Sequence, residues 1–268
     1  MIKTAPMESI NIQSLIALIK QGAQQELLPR FEHVAKSYKA DGSIITEADT
    51  AMQQYLQDQL QTDYPKIAFL AEEMPVDQQE QALSDSKHGI WILDPIDGTS
   101  NFSHGLPYYC VSLALIYQGE VQLGIVYDPE RDECFYAQKG QGAFLNNKAL
   151  DAPQHHSALN KALVGVDFKR LPQAMAAQLA SRPPYASQRS LGSIALDWCW
   201  VSTGRIQAYL HGKHNLWDYA ACWLILEEAG GASQTLDGEV VFTPTMEAKF
   251  AIAAVSEDLL AEWYQVLK

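Results

Sequence analysis

The chain has 268 residues, 47% hydrophobic and 19% charged, enough for a buried core in one large unit or two small ones. Its net charge of −13 leaves no basic surplus to neutralise a nucleic-acid backbone, yet remains compatible with a small phosphate bridged by divalent cations. No apolar run approaches the roughly 20 residues of a membrane span, the first residues lack a signal-peptide pattern, and four separated cysteines read as reduced thiols of a cytoplasmic protein.

Apolar residues at helical spacing, from Ile12 to Val34, predict one long helix over residues 10–36, bent at Pro29. In "KADGSIITEAD", Asp41-Gly42 marks a turn, and Thr46 caps a second helix with Asp49 at the capping-box position. "KIAFLAEE" reads as a short strand ending on Glu72 and Glu73, and a polar, mobile stretch is expected over 74–88. A buried strand at 90–93 then enters "WILDPIDGTSNF". There Pro95 interrupts the ladder, Gly98 permits a close turn, and Thr99-Ser100-Asn101 offer caps for a short helix. An antiparallel meander follows, with strands at 109–117, 121–128 and 133–138. The composition break "DAPQHHSALN" separates an N-terminal half, 1–150, from a C-terminal half, 151–268, that completes a single compact unit. His155 and His156 fall in this linker and read as solvated. The second half alternates strands at 163–166, 206–210 and 250–255 with helices at 171–179, 193–203, 216–229 and the C-terminus. The result is an α/β mixture with a central meander rather than a simple βαβ wheel.

Asp94 and Asp97 flank Pro95-Ile96 where an apolar strand ends, and a buried carboxylate without a partner is costly. Glu72-Glu73 ends a second apolar strand, and Asp218 opens the apolar helix "NLWDYAACWLILEEAGG". Taken singly, these are turn acids, or for Asp218 a carboxylate favoured by the helix dipole. Strand-end and helix-start acids can also converge on one rim of a sheet. Hard oxygen donors of that kind suit Mg²⁺ or Mn²⁺ rather than Zn²⁺. Free N–H groups at the turn after Asp97 favour an anion beside them. There is no GxSxG elbow, GxxxxGK[ST] loop or HExxH motif, and Gly140-Gln141-Gly142 reads as a hairpin turn.

In this order, "KADGSIITEAD", "LAEE", "DPIDGTSNF" and "WDYAACWLILEEAGG", spanning Lys39 to Gly231, resemble the inositol monophosphatase family of Mg²⁺-dependent, lithium-sensitive phosphatases. The resemblance implies an α/β fold built as a five-layer αβαβα sandwich of the sugar-phosphatase type, a homodimer, and two to three Mg²⁺ ions, with Mn²⁺ as an alternative. It implies that Glu72, Asp94 and the carbonyl of Ile96 hold one metal, and that Asp94, Asp97 and Asp218 hold a second. Asp49 and Thr99, with Glu72, would form the catalytic set around the attacking water. Gly98 and Thr99 would present backbone N–H groups to the phosphate, Ser193 and His211 would approach the substrate, and Lys39 would lie near a weak third metal. Glu73, pointing away from Glu72, would be solvated or support its neighbours. The implied reaction is hydrolysis of a small phosphorylated polyol, inositol monophosphate-like, without a covalent intermediate.

One position departs from this pattern. Seven residues before Asp218, relatives that hydrolyse inositol phosphate carry a glutamate, and here it is His211. A neutral imidazole offers one donor and one acceptor. This keeps other esters open: fructose 1,6-bisphosphate, adenosine 3',5'-bisphosphate, NADP or histidinol phosphate, with Lys169, Arg170 and Lys213 as candidates for a second phosphate. A regulatory dimer that keeps the fold is a further alternative, against which the completeness of the acid set argues.

Overall fold

The structure, a computed structural model, describes residues 10–31, 36–38, 44–150 and 158–268. Lys39, the Asp41-Gly42 turn and His155-His156 lie outside the described residues. The first helix, α1 (Ile12–Gly22), starts at Asn11, whose side chain accepts the N–H groups of Gln13 and Ser14. It continues through a wider π-type turn, Ala23–Leu27, and stops there rather than running to residue 36. Leu28, before the proline, is still helical at φ −56° and ψ −38°, its N–H closing on the Ala23 carbonyl, but Pro29 has no N–H to give. The N–H groups of Arg30 and Phe31 close instead on the Leu27 carbonyl at 2.9 and 3.0 Å.

A short antiparallel hairpin, β1 (Lys36–Tyr38) and β2 (Ile44–Thr46), leads into α2 (Glu47–Asp63). As expected, Thr46 and Asp49 form a capping box at its start. After β3 (Ala68–Ala71), the stretch expected to be mobile folds as α3 (Val76–Ser84) and a 3₁₀ turn, Ser86–His88. No apolar stripe announces α3, because a polar residue secures it. Gln79 is buried, and its amide donates to the carbonyls of Ala71 and Glu72 at 2.8 and 3.2 Å.

Then come β4 (Ile90–Asp97), α4 (Thr99–Ser103), and the meander β5 (Cys110–Tyr117), β6 (Glu120–Asp128) and β7 (Glu133–Gln138). Two short strands, β8 (Ala143–Leu145) and β9 (Lys148–Ala149), complete a seven-stranded sheet in the order β3-β4-β5-β6-β7-β8-β9. Only the β3–β4 pair is parallel. The second half contributes β10 (Leu163–Val166), α5 (Gln173–Ser181), β11 (Ser187–Arg189), α6 (Ile194–Ser202), β12 (Ala208–His214), α7 (Leu216–Glu228), β13 (Ala232–Thr235), β14 (Lys249–Ala254) and α8 (Glu257–Leu267). Its five strands order as β11-β10-β12-β14-β13.

The layers are α, β, α, β, α, as the resemblance implies. On the outer side of the large sheet, α2 packs on β4 and α1 on β6. On its other side lie α6 and α7, which also touch the second sheet, and α8 covers that sheet's far face. This explains why "IALDWCWVS" and "LWDYAACWLILEE" are apolar nearly all round: both faces of each helix meet a sheet. The contact of β6 with α7 is close. A Cβ on Gly124 would fall 2.4 Å from the Ala221 carbonyl oxygen.

Gly124→Ala is therefore expected to push α7 from the sheet at a cost of about 1–3 kcal/mol. The readout is a lower urea midpoint with an unchanged slope. An unshifted midpoint would mean that the helix yields freely.

Candidate active site

The acids reach one place because β4 contains an extra residue. Opposite it on β5, Asp94 pairs with Ser112 and Asp97 with Cys110, so three steps on one strand match two on the other. In a regular strand, residues three apart face opposite sides. The bulge at Pro95-Ile96 returns Asp97 to the side of Asp94. The strand thus runs on past Pro95, where the sequence predicts its end, because a bulge has no need of the missing N–H. The Ile96 N–H donates to Asp94 Oδ1 at 3.0 Å. Gly98 then turns at φ 100°, where a Cβ would meet the Tyr108 carbonyl oxygen at 3.1 Å. Gly98 itself, not a hydroxyl side chain, occupies the cap position of α4. The Thr99 hydroxyl lies 2.9 Å from the Ile96 carbonyl oxygen and 3.2 Å from Asp49 Oδ1.

The other acids sit at ends of elements. Asp49 is in the first turn of α2, where its Oδ2 accepts the Thr46 N–H at 2.8 Å and hydroxyl at 2.6 Å. Glu72 follows β3, its N–H bonded to the Leu93 carbonyl at 3.1 Å. Asp97 Oδ2 accepts from the Ser193 hydroxyl at 2.7 Å and the Ala195 N–H at 2.6 Å, both at the start of α6. Asp218 Oδ2 accepts the Asn215 N–H at 2.8 Å, in the capping box of α7. Glu72, Glu73, Asp97, Ser193, His211 and Asp218 line one cleft of about 830 Å³, together with Asp167, Lys169, Arg170 and Lys213. Asp49 and Asp94, 0% and 2% exposed, lie beneath that surface.

These carboxylates repel one another. Burial, then Glu72, Asp97, Asp218 and Asp49, raise Asp94 well above the ordinary value of 3.8. Burial, then Asp97 and Glu72, do the same to Asp218. Burial pushes Asp97 up to about 6 against the hydrogen bonds from Ser193 and Ala195. Burial likewise takes Asp49 up to about 6, against Thr46 and Thr99 and aided by the charge on Glu72. Among the described residues no three acids already close around a common point, as expected of like charges. The donor set nevertheless fits a hard divalent cation: all oxygens, with Asp94, Asp97 and Asp218 each anchored by one oxygen and the other left for a ligand.

Several contacts of the site are not read from the sequence. The Asn101 amide donates to the carbonyls of Tyr108 and Leu191 at 2.7 and 2.8 Å, tying α4 to the loop that carries Ser193. Asp197, buried in the cleft wall and held well above its ordinary pKa by burial, accepts the Tyr108 hydroxyl at 2.8 Å. Its signal was present, an acid within the apolar run "IALDWCW". Asp167 meets His211 Nε2 at 3.1 Å, and His211 Nδ1 accepts the Lys213 N–H at 3.1 Å.

The sequence profile of the inositol monophosphatase family matches residues 5–266. The chain belongs to that family. It is 34% identical over 208 residues to "Inositol monophosphatase 2" of Saccharomyces cerevisiae, covering 72% of this chain and 70% of that protein. An IMPase/NADP phosphatase complexed with Mg²⁺ and phosphate shares the fold with a TM-score of 0.81 at 26% identity, over 96% of this chain and 92% of the other. A dual specific IMPase/NADP phosphatase bound with D-inositol-1-phosphate gives 0.80 at 27% identity, over 96% and 92%. The family and layered fold expected from the spaced motifs are the ones found.

The repulsion has a thermodynamic signature. The unfolded chain releases these protons around 3.8, whereas the folded chain keeps them to about 6 at Asp49 and Asp97 and well above 3.8 at Asp94 and Asp218. The folded state binds more protons between those limits, so its stability is greatest at the acid end and is lost as pH rises. In EDTA the melting temperature is expected to fall between about pH 4 and pH 7, and Asp94→Asn is expected to raise it at neutral pH. Scanning calorimetry of both chains checks this, and a variant that melts lower than wild type contradicts it.

Proposed function

We propose that this inositol monophosphatase family member is a divalent-metal-dependent phosphomonoesterase that hydrolyses small phosphorylated polyols, inositol monophosphate-like, with water as nucleophile. The observation that carries this is the convergence of Glu72, Asp97 and Asp218 on one cleft, with Asp94 buried beneath it and raised by burial and by the charges of all three. Glu72, Asp94 and the Ile96 carbonyl hold one cation in this reading. Asp94, Asp97 and Asp218 hold a second, and Lys39 stands near a weak third. Mg²⁺ is the fitting ion and Mn²⁺ its substitute. Bound there, such cations supply Lewis-acid stabilisation of the phosphoryl group and lower the pKa of water. The ligands of two relatives, Mg²⁺ with phosphate in one and D-inositol-1-phosphate in the other, support this choice.

The chain's own groups do the positioning. The Thr99 hydroxyl has one proton and two protein acceptors, Asp49 Oδ1 and the Ile96 carbonyl. With that proton turned to Asp49, its oxygen accepts from an attacking water and aligns it. Asp49, whose Oδ1 lies 3.2 Å from the Thr99 hydroxyl, is the proton acceptor behind Thr99. Gly98 and Thr99 offer backbone N–H groups to the phosphate, and Ser193 steadies Asp97 at the cleft wall. Both halves, 1–150 and 151–268, act as one catalytic unit. Family membership supports a homodimer. The four unpaired, buried cysteines support a cytoplasmic setting, and among the described residues no helix is long and apolar enough to cross a membrane.

Phosphate release from inositol 1-phosphate is expected with Mg²⁺, lost in EDTA and reduced by Li⁺. Fructose 1,6-bisphosphate, adenosine 3',5'-bisphosphate, NADP and histidinol phosphate in the same panel rank the alternatives. Asp94→Asn is expected to lower kcat roughly a thousandfold while melting cooperatively, and Thr99→Val to lower kcat by about a hundredfold with little change in KM. Near wild-type turnover by folded Asp94→Asn would sink the assignment.

A further inference from the structure

His211 is not free to meet a substrate. Its ring stacks on Tyr209 with centroids 6.2 Å apart and planes 10° apart, and meets His214 at 4.9 Å. Because Nδ1 accepts the Lys213 backbone N–H, the hydrogen-bond network assigns the neutral ring's proton to Nε2, which points at Asp167 Oδ2. Both nitrogens are committed within the protein, and the residue is 6% exposed.

Asp167 is different. Its Oδ1 accepts the Lys169 N–H at 2.9 Å and its Oδ2 takes His211, so each oxygen keeps a lone pair. Its side chain is 29% exposed on the wall of the same cleft as Asp97 and Asp218. The arrangement is built into the backbone. Val166 on β10 pairs with Leu210 on β12, so Asp167 and His211 emerge side by side from parallel strands. Against β14, His211 pairs with Ala251 and His214 with Lys249, a second bulge, which turns both rings to one side. At that bulge a Cβ on Gly212 would fall 1.8 Å from the Arg170 carbonyl oxygen, so the turn after Asp167 is seated directly on the strand that carries His211.

We propose that Asp167, positioned by His211, is the residue with which this chain reads the hydroxyl groups of a polyol monophosphate. The proposal rests on the phosphomonoesterase reading above. A carboxylate accepts two neighbouring hydroxyls at once, and hydrogen bonds to a charged acceptor are the stronger kind. Burial alone would raise the Asp167 pKa, but the hydrogen bonds from His211 and the Lys169 N–H and the charge of Arg170 outweigh it and hold the group below its ordinary value. The carboxylate therefore stays ionised near neutrality and repels a second phosphate at its own position. The substrate class this favours is a monophosphate bearing adjacent free hydroxyls. In this arrangement the carboxylate expected from position 211 comes from position 167, and the histidine is its support.

The test compares kcat and KM for inositol 1-phosphate with those for 4-nitrophenyl phosphate, which has no hydroxyls to read, in Mg²⁺. Asp167→Ala is expected to raise KM for inositol 1-phosphate about ten- to hundredfold, and to lower the preference ratio of the two esters by at least about tenfold. His211→Gln, which keeps a donor toward Asp167, should retain most of that ratio, and His211→Ala should lose it. Equal losses on both esters, or an unmoved ratio, would overturn the proposal while leaving the phosphatase reading intact. A wild-type chain that cleaves neither ester would defeat both.

Discussion

Like-charge repulsion in a buried place is the constraint on which this molecule is organised. Burial raises Asp94, Asp97, Asp218 and Asp49, and the charge of Glu72 adds to it at each of them. Local donors hold the groups in place at one oxygen each: a bulge N–H for Asp94, a hydroxyl and a helix N–H for Asp97, an N–H of a capping box for Asp218. Such a site lowers the stability of the isolated chain, as functional sites commonly do.

The layer order sets the chemistry. The central helices α6 and α7 lie between the sheets and begin at the cleft, so their first turns supply the donors to Asp97 and the carboxylate of Asp218. The large sheet delivers Asp94 and Asp97, and the smaller sheet delivers the Asp167–His211 pair. The strand-borne acids Asp94 and Asp97 and the Asp167–His211 pair thus come to the cleft from different sheets. They are joined through Asn101, whose amide bridges the turn after β4 to the loop before α6.

Much of this was legible in the sequence because its causes are local. The capping box at Thr46 and Asp49, the strand-then-acid pattern at Asp94, and Asp218 at the start of an apolar helix are all short-range signals. What escaped depends on partners distant in the chain. The bulge at Pro95-Ile96 exists only relative to β5, and Pro95 alone reads as a strand end. The helix α3 is secured by the Gln79 amide, which leaves no periodic apolar trace. Ser187–Arg189 is short, polar and exposed, and becomes a strand only by pairing with β10. His211 was visible as a departure, but its meaning required the parallel register that sets Asp167 beside it.

The two bulges make strand length itself part of the site. Both β4 and β12 carry one surplus residue where they arrive at the cleft. Side chains alternate faces with a period of two, so Asp94 and Asp97, three apart, share a side only because the bulge absorbs the surplus residue. The same holds for His211 and His214. Along most of a strand the chain tolerates exchanges of one apolar residue for another. At these two points a deletion would heal the bulge and keep the pair on one side while removing the kink that aims it, so what the site needs there is a ladder that stays one residue out of step.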